Sequence, residues 1–191
     1  ATAEDIARRI AAGEWVVDLR HRRVFAGDHV KGSLSFDVHG NAVTYLGWMI
    51  DWGTPITLLG ADADEVQTMQ RELVRIGIDR PVAYAVGQPS DWASSSAGQS
   101  SYRRASYSEL AAALAADPDV PMLDLRRNSE FDDGFVAGAT HVPLHELRGR
   151  IDEVVDWAGS VRDHGPVWVY CGSGFRASAG ASVLEAAGVE V

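Results

Sequence analysis

The chain has 191 residues, with 17 Lys and Arg against 27 Asp and Glu, giving a formal net charge of -10. At 46% hydrophobic and 23% charged it has the balance of a soluble globular protein, and the acidic excess argues against nucleic acid or anionic membrane as a partner. The single cysteine, Cys171, excludes an intrachain disulfide and a thiolate-rich zinc site, and no apolar run approaches the roughly 18 residues of a membrane span.

Taken in chain order, residues 2–12 read as a helix, with Thr2 as N-cap and acidic residues in the first turn. The apolar run 15–19 has the length of a strand. A second run, 56–59, leads into a helix over 65–76 closed by Gly77, and a further strand follows at 82–86. From Gln88 to Arg104 the chain is rich in Ser, Gly and Gln, includes Ser94-Ser95-Ser96, and lacks hydrophobic periodicity; it reads as a surface linker. Ser106-Tyr107-Ser108-Glu109 is a capping-box pattern that opens an Ala-rich helix running to Ala116. Strands then fall at 122–125 and 167–170, and a helix over 177–187 is closed by Gly188. The chain stops at Val191, where the pattern calls for one more strand.

This order repeats. Shifting the chain by 106 positions lays Val17-Asp18-Leu19-Arg20 on Leu123-Asp124-Leu125-Arg126, Phe25 on Phe131, Val30 on Val136 and Gly32 on Gly138. A later shift of 111 lays Pro55 on Pro166, Ile56-Thr57-Leu58-Leu59 on Val167-Trp168-Val169-Tyr170, Leu73 on Leu184 and Gly77 on Gly188. Units of about 90 to 100 residues are too long for a solenoid and fit a duplicated small domain. The expected layout is a first domain over residues 1–90, a linker over 91–104 and a second domain over 105–191 cut short at its C-terminal strand. Apolar strands alternating with helices place each domain in the α/β class, a mostly parallel sheet flanked by helices on both faces.

The chemistry concentrates at Cys171-Gly172-Ser173-Gly174-Phe175-Arg176, between an apolar strand ending at Tyr170 and a helix beginning near Ala177. The carboxyl end of a strand in an open α/β sheet is where ligands bind. A loop leading into a helix N-terminus aims backbone N–H groups and the positive end of the dipole at its own mouth. Gly172 and Gly174 let the backbone curl so that several amides converge, which stabilises a thiolate, and Arg176 adds a fork suited to an oxyanion.

Tyr170-Cys171-Gly172-Ser173-Gly174-Phe175-Arg176-Ala177-Ser178 resembles the active-site loop of rhodanese domains, which are sulfurtransferases. Asp124-Leu125-Arg126 with Glu130-Phe131, Gly138-Ala139 and Val142-Pro143 resembles the upstream motif of the same family. The resemblance implies two rhodanese-like domains, the second one catalytic. Cys171 would take the sulfane sulfur of thiosulfate or a low-molecular-weight persulfide and pass it to a thiol or cyanide acceptor. It also implies substrate binding by Gly172, Ser173, Gly174, Phe175 and Arg176 and loop support from Asp124 and Arg126, with a plain structural ion pair as the competing reading of those two. Phe135 departs from the family, which usually has a histidine before the Gly-Ala turn.

In the first unit Gly60 falls at the cysteine position and Glu65 at the arginine position, so the expectation there is an inactive domain that packs or docks. Asn41-Ala42-Val43-Thr44-Tyr45-Leu46-Gly47-Trp48-Met49-Ile50 with Pro55-Ile56-Thr57-Leu58-Leu59 resembles the first rhodanese-like unit of proteins that fuse a metallo-β-lactamase-fold domain to two rhodanese domains. The chain is accordingly expected to be the C-terminal part of such a fusion and to reside in the cytoplasm. The histidines, His21, His29, His39, His141, His145 and His164, are scattered, so no metal site and no cofactor is expected. Two other readings stay open: a non-catalytic persulfide relay or docking module, and a Cys-dependent phosphatase, whose loop between Cys and Arg is one residue longer than Gly172–Phe175.

Overall fold

Thr2 opens the first helix as its spacing to Asp5 dictates: in the computed structural model, which describes residues 1–191, the two side chains close a capping box over α1 (Ala3–Ala11). The chain folds as two compact units, Ala1–Tyr102 and Arg103–Val191. In the first, α1 is followed by β1 (Trp15–Asp18), α2 (Arg22–Gly27), β2 (His29–Val30), β3 (Leu34–Ser35) and α3 (Ala42–Met49). Then come β4 (Ile56–Gly60), α4 (Ala63–Val74), β5 (Ala83–Val86), α5 (Pro89–Trp92) and β6 (Gln99–Ser100). The main sheet has the order β3-β1-β4-β5 with every pair parallel, Val16 lying beside Thr57 and Thr57 beside Ala83. β1 and β4 are buried along their whole length, as central parallel strands covered on both faces must be. On one face Ile6 and Ile10 of α1 pack with Val16, Leu59 and Trp92.

Trp92 corrects the expected linker. Ser and Gly outweigh the few apolar residues of the stretch 91–104, which is why its composition points to surface. Trp92 is nevertheless only 2% exposed within the first core, and β6 pairs antiparallel with β2 through Val30 and Gln99. The Tyr102 N–H donates to the Ala26 carbonyl, so the first unit runs to Tyr102 and the second begins at Arg103. One buried indole outweighs the polar composition around it.

The second unit runs α6 (Tyr107–Ala116), β7 (Met122–Asp124), α7 (Asn128–Asp132), β8 (Thr140–His141), α8 (Leu144–Leu147), α9 (Ile151–Val161), β9 (Trp168–Tyr170) and α10 (Phe175–Ala186). Its parallel sheet has the order β8-β7-β9. Leu110 of α6 packs with Val120, Met122 and Tyr170. α10 lies against Leu125 and Leu147 at Gly180, where a Cβ would run into the Leu125 side chain. The chain end returns to the foot of β9, the Glu190 carbonyl accepting from the Val167 N–H. No helix in either unit is long and apolar enough to cross a membrane.

The two units repeat in atomic detail. Asp18 and Asp124 are both fully buried, and each binds the arginine two residues on, Arg20 or Arg126. Each arginine extends a second bond, to the carbonyl of Asp28 or of Gly134, positions related by the same shift of 106. Phe25 stacks on His29 at 4.0 Å, and Phe131 stacks on Phe135 at 4.3 Å. Phe135, the departure from the family pattern, thus keeps a ring where the first unit has a histidine. Gly77 and Gly188 both take positive φ, 78° and 86°, just past α4 and α10.

Candidate active site

β9 delivers Cys171 to the mouth of α10, and the local sequence determines what the sulfur meets there. Gly174 is the N-cap of α10 and takes φ 82°, a left-handed conformation that glycine adopts without strain. The turn brings the N–H groups of Gly174 and Ala177 onto Cys171 Sγ at 3.2 and 3.3 Å. The sulfur thereby occupies the place of a capping side chain, satisfying a helix N-terminal amide that has no intrahelical partner. Cys171 is 3% exposed, whereas Gly172 and Ser173 are exposed. Two amide donors and the positive end of the α10 dipole thus converge on the sulfur.

Of the residues expected to bind substrate, Gly172, Ser173 and Gly174 line the loop, while Phe175 and Arg176 turn inward and are buried. Arg176 also makes a contact within the domain. Its guanidinium forks onto Glu130, Nη1 to Oε2 at 2.5 Å and Nη2 to Oε1 at 2.7 Å, so its charge is matched inside the domain. This contact holds the Glu130 carboxyl down at about 2. Glu130 also accepts from the Arg127 N–H at 3.1 Å.

Asp124 and Arg126 reach the loop through that same glutamate. The Asp124 carboxylate takes the Arg126 N–H, Nε and Nη2, and these bonds raise the Arg126 titration further. Arg126 in turn donates to the carbonyls of Glu130 and Gly134 and lies over the Tyr170 ring at 5.8 Å. The buried pair therefore fixes the backbone of the segment whose Glu130 clamps Arg176. His141 closes this cluster, its ring stacked on Phe131 at 4.0 Å and its Nε2 hydrogen-bonded to the Arg126 carbonyl at 2.8 Å.

Tyr107 has a contact to the loop that sequence reasoning does not anticipate. Its hydroxyl donates to the Cys171 carbonyl at 2.8 Å, and its ring meets Tyr170 edge-on at 6.1 Å. Burial, then the nearby Cys171, push the Tyr107 phenol up. Burial, with Asp124 alongside, puts the Tyr170 phenol at about 12. No spacing rule links Tyr107, the first residue of α6, to a loop 64 positions away.

The corresponding junction of the first unit is built differently. A Cβ on Gly60 would lie 2.8 Å from Val66 Cγ2 and 3.0 Å from the Asp62 carbonyl oxygen, leaving no room for a cysteine side chain. Glu65, at the arginine position, folds back so that its carboxylate accepts the Ala61 N–H at 2.7 Å and meets His39 Nε2 at 3.3 Å.

Residues 106–191, nearly the whole of the second unit, match the family model described as Rhodanese-like domain. A protein of Bacillus subtilis (strain 168), YqhL, is 31% identical over 64 residues, which cover 34% of this chain and 45% of that protein. The match thus spans less than half the length of the curated relative. Among solved structures, a thiosulfate sulfurtransferase from Pseudomonas aeruginosa is 22% identical with a TM-score of 0.39, over 100% of this chain and 42% of the other. A 3-mercaptopyruvate sulfotransferase from Escherichia coli, SseA, is 14% identical with a TM-score of 0.41, over 98% and 92%.

Proposed function

We propose that the second unit is a sulfurtransferase that carries a sulfane sulfur on Cys171. The observation behind this reading is the Cys171 sulfur itself, seated at a helix N-terminus on the N–H groups of Gly174 and Ala177. The thiolate attacks the outer sulfur of thiosulfate or of a low-molecular-weight persulfide. An Sγ–S bond forms, the donor S–S bond breaks, and sulfite or a thiolate leaves with the bonding electrons. A cyanide or thiolate acceptor then attacks the outer sulfur, the Sγ–S bond breaks, and Cys171 departs as thiolate. With Arg176 engaged by Glu130, attraction for an anionic donor falls to the loop amides at the exposed Gly172 and Ser173.

The first unit serves in this proposal as an inactive partner of the second, supported by the blocked Gly60 position and the inward Glu65 carboxylate. An upstream metallo-β-lactamase-fold domain belongs to the same proposal and rests on the resemblance of residues 41–59. A free reactive thiol suits a reducing compartment, which supports a cytoplasmic location. The test is Cys171→Ser in the full chain. Transfer from thiosulfate to cyanide is expected to fall about a thousand-fold or more, and the mass increase of one sulfur on Cys171 after thiosulfate treatment is expected to vanish. Undiminished transfer in the variant would overturn the assignment, and faster hydrolysis of an aryl phosphate than sulfur transfer would replace it with a phosphatase.

A further inference from the structure

Tyr107 takes no part in the transfer steps above, yet it crosses 64 positions of sequence to bind the backbone of the nucleophile itself. Its hydroxyl donates to the Cys171 carbonyl at 2.8 Å. In a trans peptide the N–H points opposite to the C=O, so whatever fixes this carbonyl also fixes the direction of the Gly172 N–H. Glycine on the far side of that peptide makes it easy to flip: Gly172 is exposed, and the nearest atom to a Cβ there would be Arg176 Nη2, 3.7 Å away. A flip would reverse the peptide, turning a carbonyl oxygen to wherever the N–H now points. The Gly174 and Ala177 amides are already committed to Sγ, which makes the Gly172 N–H valuable for the next atom out.

Three contacts hold Tyr107 in place. The Ser106–Glu109 capping box fixes where residue 107 leaves α6, with Glu109 N–H to Ser106 Oγ at 3.2 Å and Ser106 N–H to Glu109 Oε2 at 2.7 Å. The ring is braced edge-on by Tyr170, which in turn lies beneath the Arg126 guanidinium. The third is the hydrogen bond to Cys171, and a phenol pushed up in its titration keeps the proton that this bond needs through neutral pH.

We infer that Tyr107 is a positioning residue: by locking the Cys171–Gly172 peptide it keeps the Gly172 N–H turned across the loop, where the outer sulfur gathers negative charge during transfer. This deepens, and rests on, the sulfur-transfer reading of Cys171. It differs from a structural role in what it protects, which is the orientation of one amide rather than the packing of the domain.

The test is Tyr107→Phe in the full chain, which removes the hydroxyl and keeps the ring. With thiosulfate as donor and cyanide as acceptor, kcat is expected to fall about tenfold while KM and the thermal midpoint stay near the parent values. In ¹H–¹⁵N spectra the Gly172 amide signal is expected to shift and broaden, with the Gly174 and Ala177 signals unmoved. An unchanged kcat together with an unchanged Gly172 signal would overturn the inference. So would a loss of rate matched by a lowered midpoint and shifts throughout the domain, since that pattern marks a packing role. If the parent chain transfers no sulfur, the sulfur-transfer reading fails, and the Gly172 signal alone then decides whether the peptide is locked.

Discussion

At the junction after β4 a carboxylate fills the place that a sulfur fills after β9. Glu65 folds onto the Ala61 N–H, while Cys171 Sγ draws in the N–H groups of Gly174 and Ala177. Both accept backbone N–H groups at a strand-to-helix junction: Glu65 takes one just before the Asp62 cap of α4, and Sγ takes two in the opening turn of α10. In the first unit the answer is internal and permanent, because the carboxylate comes from α4 itself. In the second the acceptor is an atom that can leave, bond and return. Beneath both junctions lies the same buried Asp–Arg pair and the same stacked rings, so the scaffold is indifferent to which acceptor it carries. The two junctions thus differ in a handful of atoms at one strand end.

The comparison breaks most visibly if the buried pairs are cut. Arg20→Met and Arg126→Met each leave a fully buried carboxylate without its partner, at an expected cost of about 3–5 kcal/mol in urea unfolding. The loss is expected to be greater for Arg20, whose side chain is 7% exposed against 18% for Arg126. Equal and small losses would make the pairs ornamental in both units. Grafting is the next largest test: Gly60→Cys with Glu65→Arg, made in a Cys171→Ser background, places the missing residue types in the first unit. The crowding against Val66 and Asp62 is expected to cost about 1–3 kcal/mol and to yield no sulfur transfer in the cyanide assay. Measurable transfer would show that residue types alone, without the glycine-rich turn, are enough.

The smallest effect concerns pH. Glu130 titrates near 2 in the folded chain and near its ordinary 4.5 when unfolded. Its bond to Arg176 therefore contributes stability that is present above about pH 4.5 and is lost as pH falls toward 2. For a carboxylate 29% exposed, the contribution at neutral pH is expected to be about 1 kcal/mol after allowance for solvent screening. Glu130→Gln should be less stable than the parent at pH 7, with the gap closing between pH 5 and 2.5 in thermal melts. A gap that stayed constant with pH would assign the loss to packing. Because Glu130 has no counterpart bond in the first unit's loop, the effect also separates the two junctions.

Much of this is legible in the sequence because its signals are local. The N-cap at Thr2, the capping box at Ser106, the glycines closing α4 and α10, and the strand-to-helix placement of Cys171 all depend on residues within a few positions of one another. The α/β pattern follows from apolar runs of strand length spaced by helices. What escapes depends on distance along the chain. Glu130 and Arg176 meet across 46 positions and Tyr107 and Cys171 across 64, and no spacing rule links them. Trp92 escapes for another reason: in a window dominated by serine, one large apolar side chain hardly alters the average, although in the folded unit it is nearly inaccessible to solvent.

The burial of Cys171 has a consequence for chemoselectivity. A thiol only 3% exposed is shielded from broad electrophiles and from bulky disulfides, whose approach the loop and the helix obstruct. In the proposed transfer an added sulfur would sit one bond of about 2.05 Å farther out, on a loop whose Gly172 and Ser173 are exposed. Under the proposed sulfur transfer the empty and loaded proteins would offer different reactive atoms to their surroundings, and an acceptor unable to touch the resting thiol would still discharge the loaded one. Under that proposal the recess would work as a filter by reach, with the cargo itself bringing the reaction to the surface.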